Sequence, residues 1–288
     1  MNIQWFPGHM AKTRRLITEN LKLVDVVIEI VDARVPQSSR NPLLEELVIK
    51  KPRIIILNKA DLADNNITNE WVNYFDHKGE YKALKCNSID SGTSVLKVLQ
   101  NNLYDLTQEK REKQAAKGII KQTVRTMIVG IPNVGKSTLI NKIAGSKVAK
   151  TGNKPGVTKG KQWIRMGKDI ELLDTPGILW PKFEDQEVGF KLAITGAIND
   201  DVFDFEQVAL KFIGELVSRY PSLLSERYKL SLEDIEKTPL EILEKMGRNR
   251  GCIRKGNEVD YSKICSILVT EFRDGKIGKI SLERPVKE

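Results

Sequence analysis

Several kinds of residue are scarce in this sequence. Three cysteines, Cys86, Cys252 and Cys265, occur among 288 residues, and no two are spaced as CxxC. So small and odd a set argues against a disulfide framework or a zinc site and fits free thiols in a reducing cytoplasm. No run approaches the roughly 18 apolar residues a membrane helix needs, and polar Asn2 and Gln4 replace a secretory leader's apolar start. Histidine occurs twice, at His9 and His77. Negative charge is missing from one long stretch. Between Glu112 and Asp169 lie 56 residues without a carboxylate, carrying 13 Lys or Arg in a chain of net charge +9. A scattered run of that sign is usually only a solvated surface. A block this long better fits binding of phosphates, whether of a nucleotide or of a nucleic-acid backbone.

What is present alternates. Residues 10–23 have apolar positions at helical spacing. DVVIEIVDAR is a short β-branched run ending near Asp32, and NPLLEELVIKK follows with Asn41 as N-cap and Pro42 at the first helical position. RIIILNKAD, the stretch around Tyr81–Lys85, TVRTMIVG, KQWIRM and DIELLDTPG read as further strands. Helices are predicted around Trp71–Phe75, over 93–117 as one long element, and after TMIVGIPNVGKS. Strands alternating with helices predict an α/β fold with a doubly wound, mainly parallel sheet. After about Trp180 only helical patterns follow. The expected organisation is therefore an α/β domain with an N-terminal extension over 1–182 and an all-helical, basic domain over 183–288.

Gly130-Ile-Pro132-Asn133-Val134-Gly135-Lys136-Ser137-Thr138 is G-x-x-x-x-G-K-S between a strand and a helix. Such a loop wraps phosphates with backbone N–H groups and a helix N-terminus. Lys136 brings a point charge to the β and γ phosphates, and Ser137 a hydroxyl for Mg²⁺. Asp174-Thr-Pro-Gly177 follows Lys136 by 38 residues at a strand end. There Asp174 can hold the Mg²⁺ water and the Gly177 N–H can meet the γ-phosphate. Thr158, in PGVTKG between the two, can reach the metal. Asn58-Lys59-Ala60-Asp61 also ends a strand. Asp61 can accept from guanine N1–H and from the exocyclic amine that adenine lacks, Lys59 can lie along the base, and Asn58 can tie this loop to the phosphate loop. Cys86-Asn87-Ser88 comes 25 residues after Asp61, where a backbone N–H can meet guanine O6.

These are the G-motifs of the translation-factor-like GTPases in an altered order, N-K-A-D and C-N-S preceding the phosphate loop. The chain thus resembles a circularly permuted P-loop GTPase, which is feasible because surface loops tolerate re-cutting. The N-terminal WFPGHMAK, GIPNVGKST, DTPGILWPK and the helical tail make it similar to the ribosome biogenesis GTPase A family of bacteria, akin to mitochondrial ribosome-associated GTPase 1. That resemblance covers essentially the whole chain. It implies GTP hydrolysis to GDP and phosphate in late maturation of the large (50S) ribosomal subunit, with rRNA and the subunit precursor as partners and release on hydrolysis. It also implies a cytoplasmic protein, monomeric when free, with no membrane partner.

Two departures bear on catalysis. Ile178 follows Gly177, where Ras-like GTPases carry a glutamine that orients the attacking water. Slow hydrolysis is expected unless another group is supplied. His9, aimed by Pro7-Gly8 and anchored by Trp5-Phe6, is the candidate; the alternative is that it caps the first helix or stacks on RNA. In GTPases with related loops an asparagine like Asn133 helps hold a K⁺ against the phosphates; here it either does so or satisfies loop hydrogen bonds. The 245–288 tail has 11 Lys or Arg against 6 Asp or Glu. Its Arg248, Arg250, Arg254 and Lys255, together with Arg14 and Arg15, are candidate contacts to RNA phosphates. Competing readings are a low-turnover GTP-binding scaffold and a GTP-dependent accessory of RNA modification.

Overall fold

In the computed structural model the described residues are 10–48, 51–77, 81–87, 93–119, 122–145, 162–175 and 185–286. They form two compact units, one containing 10–175 and 283–286, the other 185–282.

Val26–Asp32 forms β1, buried at every position, as expected of a strand covered on both faces. The sheet unit runs α1 (Met10–Leu21), β1, α2 (Pro42–Val48), β2 (Arg53–Asn58), α3 (Asn65–His77), β3 (Tyr81–Lys85), α4 (Thr93–Leu106), α5 (Gln108–Ala116), β4 (Val124–Gly130), α6 (Lys136–Ala144), β5 (Gln162–Met166) and β6 (Ile170–Asp174). The strand order is β3-β2-β1-β4-β6-β5. All neighbouring pairs are parallel except β5 with β6. The exception follows from length: only Gly167-Lys168-Asp169 separates β5 from β6, enough for a hairpin and far too short for a crossover. The α/β, mainly parallel reading thus holds.

One predicted helix is two. The single helix expected over 93–117 is interrupted at Thr107, whose hydroxyl donates to the Leu103 carbonyl at 2.7 Å. This back-bond to the i−4 carbonyl bends helices, and the chain leaves helical geometry before α5. Below the sheet, Ile17 and Leu21 of α1 and Leu44 and Val48 of α2 pack on Val27, Met127, Val129 and Leu173. On another core, Trp71 and Phe75 of α3 pack with Val31, Ile55 and Leu57.

Residues 283–286 belong to this unit. Glu283 accepts from the backbone N–H of Gln37 at 2.7 Å and of Ser38 at 3.1 Å, and from the Ser38 hydroxyl. Trp71 Nε1 donates to the Glu283 carbonyl at 3.3 Å.

The second unit contains α7 (Gln186–Ile194), α8 (Phe205–Arg219), α9 (Pro221–Tyr228), α10 (Leu232–Ile235), α11 (Pro239–Asn249) and α12 (Tyr261–Arg273). Helices α9 and α10 were not expected separately; Pro221 starts one and a Ser231–Asp234 capping box the other. Phe212 of α8 meets Phe272 of α12 at a centroid distance of 4.6 Å, and Ile242, Leu243 and Met246 of α11 are buried.

Candidate functional site

Parallel register brings the motif residues to one edge. Asp32 lies opposite Asn58, Ile30 opposite Gly130, and Ile128 opposite Asp174. The carboxyl ends of β1, β2, β4 and β6 therefore line up. From β1 the chain proceeds outward through β2 and β3, whereas β4 leads the other way to β6 and β5. The crevice between the ends of β1 and β4 is the switch point at which doubly wound sheets bind ligands.

The phosphate loop fills that crevice. Asn133 has φ 58° and Gly135 φ 95°. Asparagine tolerates the left-handed region, and glycine adopts it without penalty. Gly135 is needed for space as well. A Cβ there would lie 2.2 Å from Asn58 Nδ2, which donates to the Val134 carbonyl at 2.7 Å. This bond joins the N-K-A-D loop to the phosphate loop across 76 residues of sequence. Pro132 and Val134 are buried, whereas Ser137 and Thr138 in the first turn of α6 are half-buried.

Lys136 is 7% exposed. Its ammonium donates to Asp174 Oδ1 at 3.0 Å and to the Thr175 carbonyl. Thr175 is held in turn by its hydroxyl, which donates to the Ile128 carbonyl at 2.6 Å. Asp174 Oδ2 is buried and has no hydrogen-bond partner among the described residues. An orphaned carboxylate oxygen next to the lysine of the phosphate loop fits a carboxylate that receives a metal-bound water. Among the described residues no three His, Cys, Asp or Glu side chains converge on a metal.

On the base side, Cys86 is buried and Asn87 half-buried. The Cys86 N–H donates to the Leu57 carbonyl at 2.8 Å and its carbonyl accepts from Ala60 N–H at 3.1 Å. Asp61 is exposed and Ala60 partly so, which leaves the Asp61 carboxylate accessible to a base. Lys59 has φ 59°, and its ammonium donates to Asp32 Oδ2 at 3.0 Å. Arg34 grips the same carboxylate through Nε at 2.9 Å and a terminal nitrogen at 2.8 Å. Burial alone would raise the Asp32 pKa, but Arg34 and Lys59 outweigh it and hold the carboxyl well below the usual range.

Asp32, Arg34 and Thr175 were missed as site residues. For the first two a signal existed: Asp32-Ala33-Arg34 puts two opposite charges directly after a buried strand, just as N-K-A-D does. Four assigned residues, His9, Ser88, Thr158 and Gly177, and also Ile178, lie outside the described residues. The basic candidates lie on α1, on α11 and just after α11. Arg14 is exposed and paired with Glu46, Arg15 with Glu19. Arg250 points to Glu271 at 3.0 Å and lies 5.1 Å over the Tyr228 ring. Exposed Arg254 pairs with Asp260, and Arg248 and Lys255 are exposed. Among the described residues no helix is long and apolar enough to cross a membrane.

Comparison with known proteins agrees with this geometry. A family model described as "50S ribosome-binding GTPase" matches residues 125–213. The chain is 51% identical over 285 residues to ribosome biogenesis GTPase A of Bacillus cereus, covering 99% of this chain and 95% of that protein. Against the protein of that name from Thermotoga maritima identity is 31% over 283 residues, 98% of this chain and 95% of the other. The fold matches GNP-bound YlqF from T. maritima with TM-score 0.66 at 28% identity, covering 96% of this chain and all of that one. A GDP-bound YlqF structure gives 0.67 at 29% identity, covering 94% and 99%. With its N-K-A-D loop ahead of the phosphate loop on one parallel sheet, and with half its residues shared with a full-length relative, this chain belongs to the ribosome biogenesis GTPase A family of circularly permuted GTP hydrolases.

Proposed function

We propose that this GTP-binding ribosome assembly factor acts on the precursor of the large subunit, binds its rRNA, and leaves when GTP is hydrolysed. The observation that carries this is the single sheet edge on which Asn58, Gly135, Lys136 and Asp174 meet. The relatives' name supplies the ribosomal setting.

The proposed chemistry starts from the Lys136–Asp174 pair. Bound phosphates compete for the Lys136 ammonium, whose exchange from carboxylate to phosphate oxygens leaves Asp174 free as an acceptor. Ser137 and Asp174 would hold Mg²⁺, joined by Thr158 from the sequence pattern; bound there, the ion neutralises charge developing on the β and γ oxygens. Backbone N–H groups of Asn133–Thr138 orient the phosphates. Asp61 accepts from the guanine edge, and Asn58 keeps base and phosphate loops at a fixed spacing. With Ile178 in place of a water-orienting glutamine, His9 is proposed to orient the nucleophile and Asn133 to help hold K⁺. Arg14, Arg15, Arg248, Arg250, Arg254 and Lys255 are the proposed phosphate contacts to rRNA.

The deciding experiment is GTP turnover of purified protein with and without large ribosomal subunits, in K⁺ and in Na⁺ buffer. Strong stimulation by the subunit, lost in His9→Ala, is expected. Equal turnover with and without bound subunits would overturn the switch reading and leave a GTP-binding scaffold.

A further inference from the structure

Behind the base-contacting loop sits a charge that recognition chemistry does not itself require. Asp32 ends β1 directly opposite Asn58, and its side chain is 4% exposed. The Arg34 guanidinium, 1% exposed, already meets both carboxylate oxygens. A third donor comes from Arg34's own backbone N–H, at 3.1 Å from Oδ1. The carboxylate is therefore neutralised and hydrogen-bonded without Lys59. Buried ion pairs of this kind are often no more stabilising than an apolar replacement. Their best-attested use is to fix a geometry.

Lys59 is where a geometry needs fixing. It is 24% exposed, and its backbone lies in the left-handed region at φ 59°, which is unfavourable for a residue with a long side chain. Free in solution, the lysine stem samples many rotamers, and ordering it costs conformational entropy. Here the ammonium is tied to Asp32 Oδ2 at 3.0 Å, while the backbone is pinned by Ala33 N–H to the Asn58 carbonyl at 2.8 Å and by Ala60 N–H to the Cys86 carbonyl at 3.1 Å. Both ends of the stem are thus fixed.

We infer that Asp32 is a positioning residue for the purine base: it acts through Lys59, holding the lysine stem as a preformed shelf beside the acceptor Asp61. This rests on the proposed reading of Asn58–Asp61 as the guanine-contacting loop. Preorganisation of this kind raises affinity by removing an ordering cost at the moment of binding.

The test is a double-mutant cycle read by binding of fluorescent N-methylanthraniloyl-GDP to the full chain. Asp32→Asn and Lys59→Met should each weaken binding about tenfold, the size expected if one ordered side chain is lost. In the Lys59→Met background, Asp32→Asn should add less than about twofold, because contacting residues couple whereas independent ones add. A merely structural Asp32 would lower affinity equally in both backgrounds, and that additivity would overturn the inference. So would an Asp32→Asn protein that binds as wild type does. Asp32→Glu keeps the charge for Arg34 while displacing the tether, and runs the same cycle should Asp32→Asn lose its cooperative melt. Asp61→Asn separates the two readings. Weakened binding there with no Asp32–Lys59 coupling removes this inference alone. Unchanged binding in Asp61→Asn removes the guanine reading, and the inference with it.

Discussion

The two halves of the nucleotide site are built differently. On the base side, Asn58–Ala60 is locked by redundant bonds: two backbone bonds to neighbouring strand ends, the Lys59–Asp32 pair, and the Asn58 bond to Val134. On the phosphate side, one ammonium is shared between Asp174 and Thr175, and Asp174 keeps an orphaned oxygen. A rigid base pocket selects without rearranging. A phosphate pocket whose own lysine is bonded to its own aspartate must trade partners to bind, and so can report which phosphates are present. On the proposed reading, selection falls to the loops after β2 and β3 and sensing to those after β4 and β6.

The sharpest way to break this contrast is Lys136→Ala. It strips the phosphate side of its charge and should weaken GTP by at least ~100-fold, since two charge-assisted hydrogen bonds are each worth about 1.5–3 kcal/mol. Calorimetric titration would read it. The same variant leaves Asp174, 1% exposed, without its cation, so the nucleotide-free protein should lose about 3 kcal/mol in denaturant melts. Next in size is Asp61→Asn, expected to lower GDP affinity by about 2–3 kcal/mol when two donors on guanine lose a charged acceptor; competition with ADP would show selectivity falling as well. Asn58→Ala should be milder, about 1–2 kcal/mol in stability for an unsatisfied Val134 carbonyl. It should loosen base and phosphate binding together, since it cuts the Asn58–Val134 bond that joins the two loops. Smallest is the effect of pH on the base side. Because the folded Asp32 carboxyl sits below its ordinary range, its stabilising contribution is complete above the unfolded pKa. It is lost only as pH falls through the lower folded value. Urea midpoints between pH 5 and 8 should therefore show no slope from Asp32, with the loss emerging below about pH 4.

How much of this was legible follows from what each residue does. Strands β1 and β2 are mostly β-branched apolar runs, broken inside only by Glu29, and a buried parallel strand has few other ways to look. Gly135, Lys136 and Asn58 announce themselves because backbone curvature and phosphate charge restrict which residues fit. Thr107 gave no warning, since a threonine inside a helical pattern bends it only when its hydroxyl turns back to Leu103. The basic stretch around Arg250 is legible, but its partners Glu271 and Tyr228, 21 or more residues away, are not. Asp32 was hidden for a similar reason: its meaning depends on Lys59, 27 residues later. Sequence pattern carries local geometry well and pairwise partnership badly.

The Glu283 contacts set an order of events in synthesis. Gln37 and Ser38 wait 245 residues or more for the carboxylate that accepts their N–H groups. The whole of residues 185–282 is made in that interval, and at about 5–20 residues per second those residues alone take on the order of 5–20 s. The sheet unit is therefore the first to begin and the last to close. The helical unit is synthesised while the sheet unit still lacks its final fastening. Shortening the chain just before Glu283 would consequently injure the nucleotide-binding half rather than the helical half to which the cut is adjacent.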